Sequence, residues 1–577
     1  MSRRRFLGGS LAVAAGAALP IPAAWAEVGR WARPGEPGWP GAREWAQLAA
    51  SVGGRLTPGH TPDLTYPAAR REMGNPFWVG DQPGLAESSG WADAWTSRPS
   101  AYVLEAESAA DVAAAVRFAQ RRRVRLVIRG GAHSYLGCST APDSLMVWTR
   151  RMRQVTVHEA FSPQGSKDAG IPAVSLGAGC IWIDAYEAVT TRAGRYVQGG
   201  GCTTVGCAGL VQGGGFGSYS KAYGTAAASL LEAEVVTADG RVRVVNAHRE
   251  PDLFWALKGG GGGTFGVITR MTLATHELPT TFGGLRLSIR ARSDDAYRRL
   301  LAAFVELYAT ALHNPRWGEQ VRAGPDNRLD VQMVFNGLTA AEARAAWSPL
   351  IVFCKANGAD YEGEDAMIAL AFPAQHAWDA AYIQQHVPGA IHVDDRPGGS
   401  PGDFWWAGDG DQVGVFWHAY ASAWLPASLL QPQNRGKLVD AWFAASRKHG
   451  LSFHFNKGLS GASEAVLARS RDTATNPQVL DAFALAITAD AGPPAFKGMA
   501  PPNLAAARVN RSRVDACIAA LRTAAPDAGA YVNECDFFQP GWRSAFWGGN
   551  YPRLAAVKRR YDPEGLFTVH HGVGSET

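Results

Sequence analysis

The stretch from Val197 to Gly224 constrains this chain most, because glycine dominates it. Glycine loses more backbone entropy on folding than any other residue, so such a run is unfavourable in a helix or strand unless something offsets the loss. The usual compensation is a ligand that the backbone approaches closely, with bare N–H groups facing an anion. A pair of glycine-rich turns in an all-β region is the alternative, since a glycine pattern alone is weak evidence.

The bulk composition narrows the class of protein. A length of 577 residues predicts about two to four domains. The hydrophobic share of 46% and the charged share of 19% are typical of a soluble globular protein. Arginines at positions 3–5 supply much of the net charge of +5, and no concentrated basic stripe follows them, so we expect no nucleic-acid partner.

The first 26 residues have the pattern of a cleaved signal peptide. Arginines at 3–5 precede an alanine-rich apolar stretch to position 20, and Ala24-Trp25-Ala26 is a small-x-small cleavage site. The apolar stretch is short for a membrane span, and no other run is long enough for one. Adjacent arginines favour twin-arginine export, with an ordinary secretory signal as the alternative. We therefore expect a periplasmic or secreted protein, cleaved near Ala26.

Sequence patterns divide the remaining chain into four parts. Residues 27–97 lack clear periodicity and are predicted to form an irregular lead-in that wraps the surface. Residues 98–275 begin with a strand–helix–strand unit and include a hairpin near positions 230–245. Residues 276–509 alternate helices and strands as a second unit, and residues 510–577 close the chain.

Cysteine usage gives a further hint of a cofactor. The seven cysteines are an odd number, and they are spaced neither as a disulfide framework nor as a CxxC zinc site. One cysteine bonded to a cofactor would explain the odd number, as would an ordinary buried thiol.

Three loops combine glycine with side chains that can do chemistry. Arg129–Tyr135 follows a predicted strand and presents His133, which taken alone is better explained as a polar loop residue. Cys202 lies inside the opening glycine run, and its thiolate would be the better nucleophile. Gly259–Gly263 leads through Thr264 into another strand.

Together these loops resemble one known family. R-G-G-x-H-S-Y, G-G-G-C-T-T-V-G and W-A-L-K-G-G-G-G-G-T-F-G-V-I-T resemble the FAD-binding domain of the vanillyl alcohol oxidase superfamily. The closing segments Tyr531–Asn533 and Asn550–Phe567 resemble its berberine bridge enzyme-like branch. The resemblance covers residues 98–572 and is weakest in the middle. It implies an α+β fold, in which a two-part FAD-binding domain of the p-cresol methylhydroxylase (PCMH) type holds an inserted antiparallel-sheet substrate domain.

The resemblance also implies how FAD is held. In this branch the histidine of the first loop bonds the flavin 8α carbon and the cysteine of the second bonds carbon 6, which correspond to His133 and Cys202. Ala132 replaces a common glycine. The implied FAD contacts are Arg129, Gly130, Gly131, Ala132, His133, Ser134, Tyr135, Gly201, Cys202, Thr203, Val205, Gly206, Gly209, Gly213, Gly214, Gly215, Gly217, Gly224, Gly263, Phe265, Gly266, Val267 and Asn550.

Val205 occupies the position that controls oxygen access in this branch. A valine there resembles the oxidases, whereas a larger side chain goes with poor oxygen use. A packed core residue is the other interpretation of Val205, and the two are compatible.

The catalytic base is predicted near the C-terminus. Many members carry Tyr-x-Asn-Tyr, with the second tyrosine as base, whereas this chain has Tyr531-Val532-Asn533-Glu534. A carboxylate above the flavin could remove a hydroxyl proton, so Glu534 is the candidate base and Tyr531 the reserve. The alternative is that Glu534 pairs with an arginine as structure. On a regular strand the two would face opposite sides, so both can line a pocket only if the segment bends.

Two predicted strands supply the candidate substrate contacts. His454 and Asn456 share one strand face, as do His418 and Tyr420, although their apolar neighbours could line the pocket instead. Adjacent histidines at 570–571 would point to opposite faces of a strand, so we expect no metal there.

The sequence thus predicts an exported FAD-linked oxidase that acts on an alcohol or sugar hydroxyl and returns electrons to O2. Its partners are a small-molecule substrate and O2, and no partner protein is required. The alternatives are a dehydrogenase that uses a quinone or protein acceptor, a non-enzymatic FAD-binding protein, and a nucleotide-binding protein without flavin.

Overall fold

The computed structural model describes residues 31–575, so the predicted signal peptide at residues 1–26 lies outside the described residues. The strands are β1 (Leu56–Pro58), β2 (Ser88–Trp91), β3 (Trp95–Thr96), β4 (Tyr102–Glu105), β5 (Arg125–Arg129), β6 (Ser144–Trp148), β7 (Val155–Phe161), β8 (Ile171–Gly177), β9 (Arg195–Tyr196), β10 (Leu230–Val236), β11 (Val242–Asn246), β12 (Val267–Ala274), β13 (His276–Glu277), β14 (Thr281–Ala291), β15 (Trp317–Ala323), β16 (Arg328–Asn336), β17 (Tyr361–Glu362), β18 (Ile368–Pro373), β19 (Ile391–Val393), β20 (Phe404–Trp406), β21 (Val415–Pro426), β22 (Leu451–His454) and β23 (Ala482–Gly492).

The α-helices are α1 (Ala42–Ser51), α2 (Pro67–Arg71), α3 (Pro76–Gly80), α4 (Ala109–Arg122), α5 (Trp182–Tyr186), α6 (Cys207–Gln212), α7 (Ser220–Tyr223), α8 (Pro251–Leu257), α9 (Asp294–Leu307), α10 (Ala340–Ala356), α11 (Ala380–His386), α12 (Pro432–Ser446), α13 (Glu464–Arg471), α14 (Gln478–Asp481), α15 (Leu504–Arg522), α16 (Trp542–Trp547) and α17 (Tyr551–Tyr561). Among the described residues, none of these helices is long and apolar enough to cross a membrane.

The first sheet carries the loop that holds His133. Its order is β1-β4-β6-β5, and β4, β6 and β5 run parallel. The predicted strand–helix–strand unit is confirmed, since α4 connects β4 to β5. Its N-terminus is fixed because Ser108 Oγ accepts from the Asp111 N–H at 3.2 Å and the Asp111 carboxylate accepts from the Ser108 N–H at 3.1 Å. The buried strand β5 then delivers the chain to the first glycine loop.

A second, antiparallel sheet completes the glycine-rich half, with the order β11-β10-β12-β8-β7. The predicted hairpin near positions 230–245 is confirmed as β10 and β11. Strand β12 starts directly after the third glycine loop and pairs with both β10 and β8. Because β12 is paired with a strand on each side, its position fixes where the third glycine loop ends.

The third sheet is the largest, with the order β17-β14-β16-β15-β22-β23-β21-β2-β3 and β18 also paired to β14. Helices α9, α10 and α12 cover one face and bury a core that includes Phe304, Trp347 and Trp442. Residues of β21 on the other face, such as Trp417 and Tyr420, join the core of the glycine-rich half. The long strand β21 is therefore covered on both faces.

Two predictions about organisation are wrong. The lead-in is not an irregular surface wrap, because α1, β1, β2 and β3 lie within it and β2 runs parallel to β21 inside the large sheet. A strand as short and fully buried as β2 leaves no periodic pattern to detect. The predicted boundary at position 510 falls inside α15, whose buried Val514, Cys517 and Leu521 pack on the large sheet and its helices.

A buried ion pair ties the C-terminal segment to the third glycine loop. Lys558 Nζ donates to Asp562 Oδ2 at 2.6 Å, to the Thr264 carbonyl at 2.7 Å and to the Phe567 carbonyl at 2.6 Å. Asp562 also accepts from the N–H groups of Leu566 and Phe567, at 2.7 and 2.9 Å. This cluster locks residues 558–567 onto the loop that enters β12.

We expect Asp562→Ala to lower the free energy of unfolding by about 3–5 kcal/mol, because the buried Lys558 ammonium would lose its counter-ion. Chemical denaturation followed by tryptophan fluorescence measures this change. Asp440→Ala, which breaks the exposed ion pair with Arg298, is the matched control and should leave the midpoint nearly unchanged. Equal midpoints for both variants would contradict the expectation.

Candidate active site

The three glycine loops meet at one cavity of about 460 Å³. The loops after β5 and β9, the turn before β12 and the C-terminal segment line it on the glycine-rich side. Strands β15 and β21 and the turn after β22 line it on the side of the large sheet. The cavity therefore lies between the two halves of the molecule.

The His133 loop packs directly on the Cys202 loop. A Cβ atom on Gly131 would lie 2.4 Å from the Gly206 nitrogen, and a Cβ atom on Gly206 would lie 2.6 Å from the Gly131 nitrogen. Backbones can approach this closely only where both residues are glycine. His133 Nε2 reaches across this contact to within 3.0 Å of Thr204 Oγ1.

A buried carboxyl lies beside His133. Glu87 Oε1 is 3.4 Å from His133 Nε2, and the Glu87 N–H donates to the Ala132 carbonyl at 3.2 Å. Burial lowers the pKa of His133 to about 3, so its imidazole is neutral. Burial, aided by the charge of Asp409, raises the pKa of Glu87 to about 8. Ala132, which replaces a common glycine, has a left-handed φ of 62°.

Strand β20 holds the backbone on both sides of Cys202. Trp406 Nε1 donates to the Gly201 carbonyl at 3.1 Å, and Thr203 Oγ1 donates to the Phe404 carbonyl at 2.5 Å. The turn after β20 brings the Asp409 carboxyl to the same cavity as Cys202, near enough for each group to shift the pKa of the other. Burial and the nearby carboxyls raise the pKa of Cys202 well above its usual value, so the side chain is a thiol.

Several glycines present an open side to the cavity. A Cβ atom on Gly201 or Gly209 would meet nothing within 4 Å, and one on Gly130 or Gly262 would meet only a carbonyl oxygen, 3.8 or 4.0 Å away. Of the predicted FAD contacts, those that line the cavity are Gly130, Gly131, Ala132, His133, Ser134, Tyr135, Gly201, Cys202, Val205, Gly206, Gly209 and Gly263.

The other predicted FAD contacts do not line the cavity: Arg129, Thr203, Gly213, Gly214, Gly215, Gly217, Gly224, Phe265, Gly266, Val267 and Asn550. The Arg129 side chain is buried and donates to the carbonyls of residues 80, 82, 83 and 85, which fixes the segment that carries Glu87. A Cβ atom on Gly217 would meet the Gly199 carbonyl oxygen at 1.9 Å. Asn550 donates to the Thr475 carbonyl at 2.8 Å. These residues shape the fold around the cavity.

Tyr531 and Glu534 both line the cavity because the chain turns between them. The Glu534 N–H donates to the Tyr531 carbonyl at 2.9 Å, so the segment bends. Such a bend is the condition under which both side chains were predicted to face one cavity. Lys457 Nζ donates to both Glu534 carboxylate oxygens, at 2.5 and 2.6 Å. The partner of Glu534 is thus a lysine and not an arginine. Asn533 Nδ2 donates to the Tyr531 hydroxyl at 3.0 Å, and burial raises the pKa of that hydroxyl.

His418, a predicted substrate contact, does not line the cavity. His418 Nδ1 lies 2.6 Å from Asp490 Oδ1, which also accepts from Asn510 of α15 at 2.7 Å. The register of β21 shifts between Trp417 and Ala419, so strict alternation fails there. As a result Trp417 lines the cavity together with Tyr420, and His418 turns to the opposite face.

His454 and Asn456 line the cavity, although not as one strand face. Strand β22 ends at His454, and residues 455–457 form a 3₁₀ turn. His454 Nδ1 and Asn456 Oδ1 are buried without a hydrogen-bond partner among the described residues. Such atoms are rare unless a ligand or water completes them.

Sequence reasoning missed several charged residues at the cavity. Glu87, Glu319, Asp409 and Lys457 all line it, and none belongs to a recognisable motif. Glu319 has a left-handed φ of 62° inside β15, and the Ser218 hydroxyl donates to its carboxylate. A non-glycine residue in this conformation is a mark of functional sites, but only the backbone reveals it.

His570 and His571 also border the cavity. They lie in a turn, so the expectation of opposite strand faces is wrong; their rings stack at a centroid distance of 3.9 Å. His570 Nε2 lies 2.7 Å from the Phe537 carbonyl oxygen. Within residues 31–575 no group of three or more potential ligand side chains is placed to hold a metal ion.

Two family models match this chain, one in its N-terminal half and one near its C-terminus. A family model described as "FAD binding domain" matches residues 99–246, and one described as "Berberine and berberine like" matches residues 530–574. The chain is 29% identical to the VAO-type flavoprotein oxidase VAO615 of Thermothelomyces thermophilus, over 94% of this chain and 92% of that protein. It is 30% identical to the FAD-linked oxidoreductase malF of Malbranchea aurantiaca, over 93% and 91%.

Solved structures agree with this relationship. The VAO-type flavoprotein MtVAO615 from Myceliophthora thermophila superposes with a TM-score of 0.76 at 26% identity, covering 95% of this chain and 97% of that one. Glucooligosaccharide oxidase from Acremonium strictum, which has a 6-S-cysteinyl, 8α-N1-histidyl FAD, shares the fold with a TM-score of 0.65 at 18% identity, covering 91% and 98%. The predicted fold class is confirmed, and the chain belongs to the vanillyl alcohol oxidase superfamily, in its berberine bridge enzyme-like branch of FAD-linked oxidoreductases.

Proposed function

We propose that this protein is an exported oxidase with covalently held FAD, which oxidises an alcohol or sugar hydroxyl and reduces O2 to H2O2. The observation that carries the proposal is the Lys457–Glu534 pair, which lines the same cavity as His133 and Cys202. A carboxylate able to accept a proton thus shares one enclosed site with two nucleophiles able to tether a flavin. The predicted signal peptide supports export.

The cavity fits FAD on two counts. Glycines with open sides, Gly130, Gly201, Gly209 and Gly262, allow a flat ring and a diphosphate to approach the backbone. Buried polar atoms that have no hydrogen-bond partner within residues 31–575 also line the walls, among them Gln212 Oε1 on the glycine-rich side. Both features are those of a wall completed by a polar cofactor.

His133 and Cys202 would hold the flavin by two bonds. The His133 imidazole is neutral, so it has a free electron pair for bond formation. Cys202 is flanked by Gly201, which leaves room for a ring. The two-link FAD of the Acremonium glucooligosaccharide oxidase, which has the same fold, supports this arrangement.

When bound, FAD supplies the hydride acceptor at flavin N5 and passes electrons on to O2. Glu534 accepts the proton of the substrate hydroxyl, and Lys457 holds its carboxylate in place through both oxygens. The reserve base is Tyr531, whose hydroxyl accepts a hydrogen bond from the Asn533 side-chain amide.

The substrate would be a hydroxylated molecule with an apolar face. His454 Nδ1 and Asn456 Oδ1 are free to bond hydroxyl groups, whereas Trp417 and Tyr420 offer aromatic surface. Solved structures with this fold include a chitooligosaccharide oxidase and a carbohydrate oxidase from Microdochium nivale, which supports sugars as a substrate class.

Acid denaturation tests the covalent flavin. We expect the yellow colour to stay with the wild-type chain, to persist with His133→Ala or Cys202→Ala alone, and to be released fully by the double variant. Peptide mass spectrometry locates each link. Complete release of flavin from the wild type would refute covalent attachment.

Glu534→Gln should lower kcat by about 10²–10⁴-fold, because the amide cannot accept the hydroxyl proton. Peroxide release from a panel of sugars and aromatic alcohols measures this, with flavin content checked by absorbance. Glu232→Gln, at a buried carboxylate outside the cavity, is the control and should keep kcat. A larger loss in Tyr531→Phe than in Glu534→Gln would transfer the role of base to Tyr531.

Val205→Leu should slow reoxidation of the reduced flavin by O2, because Val205 lines the cavity and a larger side chain narrows access. Stopped-flow absorbance after anaerobic reduction gives the rate, and Val205→Ala should keep it near wild type. Unchanged reoxidation in Val205→Leu would contradict the proposed oxygen control.

A wild-type enzyme that reduces quinones but forms no peroxide would instead be a dehydrogenase.

A further inference from the structure

A carboxyl lies near each of the two proposed tethering nucleophiles. Glu87 Oε1 lies 3.4 Å from His133 Nε2, and the Asp409 carboxyl lines the same cavity as Cys202, near enough to raise the pKa of its thiol. Neither carboxyl comes from the glycine loops: Glu87 precedes β2, and Asp409 follows β20. Two separate segments of chain thus bring one acid each to the two side chains that would bond the flavin.

We propose that Glu87 and Asp409 are the proton acceptors for covalent flavin attachment, Glu87 for the His133 link and Asp409 for the Cys202 link. The inference rests on the proposed covalent FAD and deepens it. It concerns how the cofactor is joined to the chain, which is separate from turnover of substrate.

Both nucleophiles need such a base. A neutral His133 keeps one N–H proton, which must leave when the ring forms a bond through its other nitrogen. The raised pKa of Cys202 keeps its S–H proton at neutral pH, whereas the thiolate is the reactive form.

The two carboxyls are suited to the role by position, by availability and by proton affinity, because burial raises the pKa of Glu87 to about 8 and that of Asp409 to about 6, so each can accept a proton near neutral pH and release it again. The Glu87 backbone N–H is hydrogen-bonded to the carbonyl of Ala132, the residue next to His133, and this bond keeps the Glu87 side chain beside the imidazole. Asp409 Oδ2 is buried and has no hydrogen-bond partner among residues 31–575. In contrast, Glu534 is engaged by Lys457, and Glu319 accepts from Ser218.

The geometry also selects the nitrogen that bonds. Nε2 of His133 faces Thr204 Oγ1 and Glu87 Oε1, so it is held by the protein. The other nitrogen, Nδ1, is left to attack, while Glu87 takes the proton from Nε2. A link through Nδ1 is therefore expected.

Both links balance with O2 as the oxidant. The His133 link replaces one C–H bond of the flavin 8α methyl group and one imidazole N–H bond by a C–N bond. The two protons and two electrons released convert one O2 to H2O2. The Cys202 link replaces the C6–H and S–H bonds by a C–S bond and consumes a second O2 in the same way. Each carboxyl passes its proton on and is regenerated.

The test compares how fast each link forms in full-length protein. Wild type, Glu87→Gln, Asp409→Asn and the control Glu232→Gln are sampled at intervals during expression, and peptide mass spectrometry gives the linked fraction at His133 and at Cys202. We expect Glu87→Gln to slow the His133 link at least about tenfold and to spare the Cys202 link. Asp409→Asn should do the reverse, and the control should match wild type.

Acid-released FAD and thermal unfolding are measured on the same samples, so that lost binding is distinguished from lost bonding. Wild-type linkage rates in both variants, or an equal slowing of both links in each, would overturn the proposal. If a variant yields no folded protein, Glu87→Asp or Asp409→Glu replaces it, with selective slowing of its own link expected and equal slowing again contradictory. A wild type without any link would instead refute covalent FAD itself.

Discussion

The direct contact between the backbones of Gly131 and Gly206 is the constraint on which the cavity depends. With any side chain at either position the two loops would separate, because a Cβ atom would lie 2.4 or 2.6 Å from the opposite nitrogen. The contact brings His133 within reach of Thr204 and sets Cys202 at the same cavity. The sheets on either side serve mainly to present these two loops to each other.

The charged side chains at the cavity come from segments that the glycine loops do not include. Glu87 directly precedes β2, the strand that pairs with β21 in the large sheet. The buried Arg129 guanidinium fixes the segment that carries Glu87 by donating hydrogen bonds to four backbone carbonyls. Asp409 follows β20, a strand that is hydrogen-bonded to the residues on either side of Cys202, Gly201 and Thr203. Burial then shifts the pKa of Glu87 upwards and that of His133 downwards, so neighbouring groups differ in how readily they hold a proton.

Part of the site followed from local pattern and part did not. Tyr420 lines the cavity whereas His418 does not, because a one-residue irregularity in β21 reverses which side chains share a face. Lys457 was missed because β22 ends at His454 and the chain turns before it. Many glycines predicted to contact FAD, such as Gly217, instead permit close packing inside the fold.

The sequence by itself determined the fold class, the family and the loops that meet at the cavity. Those features depend on glycine and on short motifs, whose backbone requirements are local and can be recognised residue by residue. Only the tertiary structure decided which charges face the nucleophiles and which residue pairs with Glu534. These contacts join positions far apart in the chain, such as 87 with 133, 202 with 409 and 457 with 534, and no local pattern records such distances.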